Sequence, residues 1–133
     1  MSDEISEILK TSRTIAVVGL SPKEDRASHE VAAYMQKHGY RIIPVHPQAT
    51  EILGEKVYAR LEDIPESVDI VDVFRKSDDT PPVAESAVRI GAKVLWLQLG
   101  IANEVAASIA EAGGLQVVQD RCIKIEHAKR MGA

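Results

Sequence analysis

The chain has 133 residues, an ordinary 45% hydrophobic content with few aromatics, and a formal net charge of −4. A general nucleic-acid binder is usually basic, so that partner class is disfavoured, and no stretch approaches the ~18–20 apolar residues of a membrane-spanning helix. The single cysteine, Cys122, rules out an internal disulfide and a cysteine zinc cluster.

Met1 to Lys10 carries acids and does not read as a signal peptide, so one cytoplasmic domain over 1–133 is the expectation. Ile5, Ile8 and Leu9 recur at helical spacing and predict a short leading helix over 2–9, capped by Ser2 or Asp3. Thr14-Ile-Ala-Val-Val18 has the composition of a strand buried on both faces. Gly19 follows where the strand must turn sharply and a ligand can approach the backbone. A polar loop from Ser21 to Ser28 leads into a helix starting at Arg26 or Ser28 and running to His38. Its apolar face carries Ala27, Val31, Ala32 and Met35, and Gly39 stops it.

Arg41 to Val45 is the second strand, after which His46-Pro47 bends the chain. Ile52 to Tyr58 predicts a turn and a short edge strand, and Leu61 to Ile64 a helical turn ended by Pro65. Val68 to Phe74 is the next strand, with Asp69 and Asp72 expected near its ends or facing water. Pro81-Pro82 suits the first turn of a helix that buries Val83, Ala84, Ala87 and Val88 and stops at Gly91. Lys93 to Leu99 is a strand, and Asn103 caps a helix using Val105, Ala106, Ile109 and Ala110. Leu115 to Val118 is the last strand, followed by a terminal helix or turn from Cys122 to Met131.

Strand starts recur roughly every 22–28 residues, the size of a βα unit. Right-handed crossovers then give a Rossmann-like, doubly wound parallel sheet in three α/β/α layers, with expected strand order 3-2-1-4-5. Ligands bind such sheets at the carboxyl ends of the strands, where the winding reverses. Gly19 to Ser28, His46-Pro47 and Phe74-Arg75-Lys76 should meet there. Lys23, Arg26, Arg75 and Lys76 bring positive charge, Ser21 and Ser28 bring hydroxyls, and the helix start brings free amides. That set suits a diphosphate with a further phosphate nearby. Gly19-Leu20-Ser21 lacks the later glycines of the dinucleotide fingerprint, and strand two ends in Val45-His46-Pro47 with no acid, so an NAD(P)-binding oxidoreductase is a poor fit. The P-loop pattern is also missing.

Gly19-Leu-Ser-Pro-Lys-Glu-Asp-Arg-Ala-Ser-His29 resembles the loop of the small stand-alone coenzyme A-binding proteins, whose domain is similar to the N-terminal domain of the succinyl-CoA ligase α chain. The stretches 39–47, 68–75, 93–100 and 119–127 resemble the same family, so the likeness spans about Thr14 to His127. It implies that Gly19, Leu20 and Ser21 approach a diphosphate through backbone groups and that Arg26 and Ser28 hold phosphate oxygens. It implies further that Val45, His46 and Pro47 border the adenosine, and that Val73, Phe74 and Arg75 line the opposite wall. His46 is a departure, since Asn is common there in the family.

Simpler roles stand beside these. Ser28 suits an N-cap as well as a phosphate contact, and Arg75 suits a pair with Asp72 or Asp78. Lys23 and Arg26 suit solvated loop charges. His29, His38 and His127 show no metal-ligand spacing and read as surface or packing residues, Cys122 as a small buried side chain, and Trp96 as core. With no acid, base or nucleophile set in view, the expected function is non-catalytic binding of coenzyme A or an acyl-CoA. The alternative is the CoA-binding subunit of an acyl-CoA ligase that works with a separate partner chain.

Overall fold

The structure, a computed structural model, describes residues 3–131. Asp3 caps α1 (Glu4–Thr11) by accepting from the Ser6 amide at 2.7 Å; Ser2, the other expected cap, lies outside the described residues. The chain continues through β1 (Thr14–Val18), α2 (Ala27–Lys37), β2 (Arg41–Val45), the short β3 (Glu51–Ile52) and β4 (Glu55–Lys56), and β5 (Ile70–Val73). It then forms α3 (Thr80–Arg89), β6 (Val94–Leu97), α4 (Glu104–Ala112), β7 (Gln116–Val118) and α5 (Ile123–Met131).

Five parallel strands form one sheet in the order β2-β1-β5-β6-β7. Consecutive residues of β1 point to opposite faces. Ile15 and Val17 join the core under α1, α2 and α5, while Ala16 and Val18 join the core under α3 and α4. The winding reverses between β1 and β5, which places the crevice of the sheet at Gly19 and Phe74.

The expected third strand is reduced to a contact. Glu51 to Lys56 closes on itself as an antiparallel hairpin, with Leu53 and Gly54 at φ +55° and +74°. Only Tyr58 reaches the main sheet, through one parallel bridge to Val45. Its amide donates to the Pro44 carbonyl, so β2 tolerates a proline on its outer edge, where no ladder donor is needed.

Asp69 and Asp72 part ways. Asp69 precedes β5 and accepts from the Arg13 and Thr14 amides at 2.8 and 3.1 Å, tying the starts of β1 and β5 together. Burial raises its pKa, but those bonds and the nearby Lys93 prevail and hold it below the usual range. Asp72 does not face water as the sequence suggested. It sits within β5 between Val17 and Trp96, 1% exposed, and its Oδ1 has no hydrogen-bond partner. Burial pushes its carboxyl well above the ordinary carboxylate range.

Candidate functional site

Gly19 is the pivot of the site. Its φ of +85° is left-handed, and a Cβ placed on it would lie 2.3 Å from the Phe74 carbonyl oxygen. Only glycine lets the β1 turn pass this close to the end of β5. The Gly19 amide donates to the Val45 carbonyl at 3.1 Å, and the Phe74 amide donates to the Val18 carbonyl at 2.9 Å. The ends of β1, β2 and β5 are thereby locked together.

Side chains alternate across those ends and make two clefts, back to back. The first, about 460 Å³, lies on the α2 face and is lined by Gly19, Ser21, Lys23, Arg26, His46 and Phe74, with Ser28 at the helix start. The second, about 330 Å³, lies on the α3 face, with Val18, Val45, Leu61 and Val83 as apolar walls and Arg60 and Arg75 among its lining residues. Val18 and Gly19, Val45 and His46, and Phe74 and Arg75 are sequence neighbours assigned to opposite clefts.

The loop residues share their groups differently from expectation. Ser28 is not an N-cap; it lies in the first turn of α2, buried, and its Oγ accepts from the Ser21 amide at 3.0 Å. The Gly19 and Ser21 amides are therefore committed within the protein, while the Ser28 hydroxyl hydrogen remains available to donate. Arg26 holds the N-cap position and supplies no side-chain acceptor. Glu30 is the first residue of α2 whose amide bonds back, to Arg26, so the helix opens beside the first cleft uncapped by any side chain. A helix N-terminus in that condition favours an anion.

Leu20 is fully buried beneath the loop and offers only its backbone. His46 Nδ1 accepts from the Gln48 and Ala49 amides at 3.1 and 3.0 Å. An Asn side-chain oxygen can accept from the backbone in the same way; the two donors place the ring proton on Nε2. Val73 is wholly buried in the core, so the wall is formed by Phe74 and Arg75 without it. Pro47 and Lys76 are exposed and line neither cleft. Arg75 pairs with neither Asp72 nor Asp78; it is exposed and forms no ion pair among the described residues.

The second cleft contains residues the sequence reading missed: Ala59, Arg60, Leu61, Pro82, Val83 and Ser86. One signal was present, since every crossover helix of a doubly wound sheet starts at the carboxyl edge and Pro81-Pro82 marked the start of α3. Within this cleft Glu62 is held below the usual carboxylate range by the Ser86 hydroxyl and the Arg89 guanidinium, despite some burial.

Residues 13–128 match the family described as CoA binding domain. The chain belongs to that family. It is similar to the uncharacterized protein YneT of Bacillus subtilis, 48% identical over 125 residues that make up 94% of this chain and 93% of the relative. A hypothetical protein from Pyrococcus horikoshii has a similar solved structure, with TM-score 0.95 and 41% identity over 99% of this chain and 94% of that one. The ADP-forming acetate–CoA ligase I of Archaeoglobus fulgidus is 23% identical over 84% of this chain, which spans only 18% of the ligase. The CoA-binding domain seen here is thus related to one segment of much longer acyl-CoA ligases. No helix among its described residues is long and apolar enough to cross a membrane.

Proposed function

We propose that this CoA-binding domain protein holds coenzyme A or an acyl-CoA across the carboxyl edge of its sheet and does no chemistry on it alone. The observation that carries this reading is the pair of clefts at the reversal of the winding, one polar and cationic, the other apolar. The diphosphate lies in the first, against the α2 start, the Ser28 hydroxyl and the Lys23 and Arg26 side chains. The adenine lies in the second, between Val45 on β2 and Val83 on α3. Phe74, half-buried between them, borders the ribose and the start of the pantetheine arm. Among the described residues no carboxylate lines the first cleft, which disfavours the ribose contact of an NAD site.

Calorimetry with coenzyme A tests the reading, and an absence of heat at millimolar ligand overturns it. Arg26→Ala should weaken binding by ~1.5–3 kcal/mol, the range for a charged hydrogen bond. Unchanged affinity removes Arg26 from the site. A second reading, a CoA-binding subunit for a ligase partner, is favoured by the likeness to one segment of the acetate–CoA ligase. Co-purification with an ATP-grasping chain and acyl-CoA synthesis by the pair would establish it.

A further inference from the structure

We propose that Arg60 and Arg75 make the apolar cleft selective for an adenine nucleotide bearing a phosphate on its ribose. The inference rests on the reading above and goes on to name which carriers the site accepts and which it rejects.

An apolar slot for a flat base needs no cations, yet three arginines line this one: Arg60, Arg75 and Arg89. They are not equivalent. Arg89 is bonded to the Glu62 carboxylate, which Ser86 also supports, so that pair adds little net charge. Arg60 is 70% exposed and reaches only Asp63, three residues on, at 3.5 Å. An exposed pair that long is weak and gives way readily to a better acceptor. Arg75 has no ionic partner among the described residues. Of the arginines outside the slot, Arg41, Arg121 and Arg130 are tied to carboxylates, while Arg26 faces the first cleft and Arg13 has no ion pair among the described residues. Uncommitted guanidinium charge thus lies at both clefts of an acidic chain, Arg26 at the first and Arg60 and Arg75 beside the slot.

The arrangement of the clefts says what that charge meets. A base in the slot and a 5′-diphosphate at Gly19 leave the ribose between them, at the step from Phe74 to Arg75. A phosphate on that ribose carries about two negative charges near pH 7. Arg60 and Arg75 match it, as Lys23 and Arg26 match the diphosphate on the other side. The guanidinium fork also suits phosphate oxygens in a way a lysine point charge does not.

Calorimetry on the whole protein tests the assignment with coenzyme A, dephospho-coenzyme A, and adenosine 3′,5′- and 2′,5′-bisphosphates. The wild type should prefer coenzyme A over dephospho-coenzyme A by about 10–100-fold, the scale of one or two charged hydrogen bonds. Arg60→Gln and Arg75→Gln should each erode that preference several-fold. The double variant should bring the ratio close to unity, by weakening coenzyme A far more than dephospho-coenzyme A. Both side chains are exposed, so the folded state is expected to survive, and thermal melts check that it does. Equal wild-type affinity for the two carriers, or variants that weaken both alike, overturns the arginine assignment alone. No binding of either carrier overturns it together with the CoA reading. Tighter binding of the 2′,5′- than the 3′,5′-bisphosphate keeps the arginines as readers of a ribose phosphate and removes coenzyme A as the ligand.

Discussion

Replacing Gly19 by alanine separates two physical effects that this position combines. The first is conformational: at φ +85° an L-residue costs about 1–2 kcal/mol. The second is steric, because the new Cβ would lie 2.3 Å from the Phe74 oxygen and 3.2 Å from its carbonyl carbon. These are backbone atoms, so relief requires the chain to shift immediately after the Phe74 amide that bonds to Val18 and ends the β1–β5 pair. Overpacking of that kind adds about 1–3 kcal/mol. Gly100 supplies the control, with φ +84° and nothing within 4 Å of its would-be Cβ. Gly100→Ala should therefore lose about 1–2 kcal/mol and Gly19→Ala about 2–5. At this chain length 1 kcal/mol moves Tm by about 4 °C, so melts should fall by about 4–8 °C and 8–20 °C respectively. Circular dichroism melts measure both, and a coenzyme A titration of each variant should show weakened binding only for Gly19→Ala. Equal losses of Tm would refute the claim that the close approach to Phe74, rather than the turn alone, demands glycine.

Three further outcomes follow from the site and the core. Asp72→Val should stabilise the protein at neutral pH by about 1–3 kcal/mol, because it removes a buried carboxyl whose Oδ1 has no partner. Because the folded pKa of Asp72 is raised, the unfolded chain releases its proton first as pH climbs above 3.8, and wild-type stability falls through that window. The gain should therefore be smaller at about pH 4 than at about pH 7.5, leaving only the cost of the buried neutral carboxyl, and urea titrations at the two pH values check it; the same gain at both rejects the burial argument. His46→Asn should keep the protection of the Gln48 and Ala49 amides in hydrogen exchange, whereas His46→Ala should lose it and about 1–2 kcal/mol of stability. Protection surviving in the alanine variant would deny the ring its role in the turn. Burial and the neighbouring His38 lower the pKa of His127, whose Nδ1 meets the Tyr34 hydroxyl at 2.9 Å. The unfolded chain then takes up the proton first as pH falls below 6.5, and stability drops with it. An NMR titration of the His127 ring with a midpoint at or above 6.5 would contradict that.

The elements of this fold were legible because each is specified locally. Thr14 to Val18 is a run that only a doubly covered strand explains, and Asn103 caps α4 as its position suggests, accepting from the Ala106 amide at 2.9 Å. The misses arise where the deciding partner is distant in sequence. Nothing around Asp72 announces that Val17 and Trp96 will flank it in a sealed sheet. Ser28 reads as a cap from its neighbours, but the Ser21 amide claims its oxygen once the loop folds back. The turn expected within Ile52 to Tyr58 falls at Leu53-Gly54, but the short strand after it pairs back with Glu51–Ile52 rather than along the edge of the main sheet, because two left-handed residues in a row turn the chain onto itself. The turn that His46 makes with the Gln48 and Ala49 amides likewise shows only in the structure, since nothing in the residue type announces it.

The site itself was half legible for a reason rooted in strand geometry. Successive side chains of a strand point to opposite faces, so the end of one strand can furnish two different surfaces. At β1, β2 and β5 the residues that attracted notice were Gly19, His46 and Phe74, the polar or conformationally special ones on the α2 face. Their neighbours Val18, Val45 and Arg75 form the other surface, and two of those are plain core-type valines. A carrier with a charged middle and a flat apolar end needs both surfaces at once. Three adjoining strand ends meet that need without any added domain, because Gly19 lets β1 and β5 close to within backbone contact and leaves no gap between the two clefts. The same economy bears on catalysis under the proposed reading. Asp72 is buried within β5, the Nδ1 of His46 is occupied by its own turn, and the Glu62 carboxylate of the second cleft is bonded to Arg89, so among the described residues the first cleft presents cations and hydroxyls suited to holding phosphate.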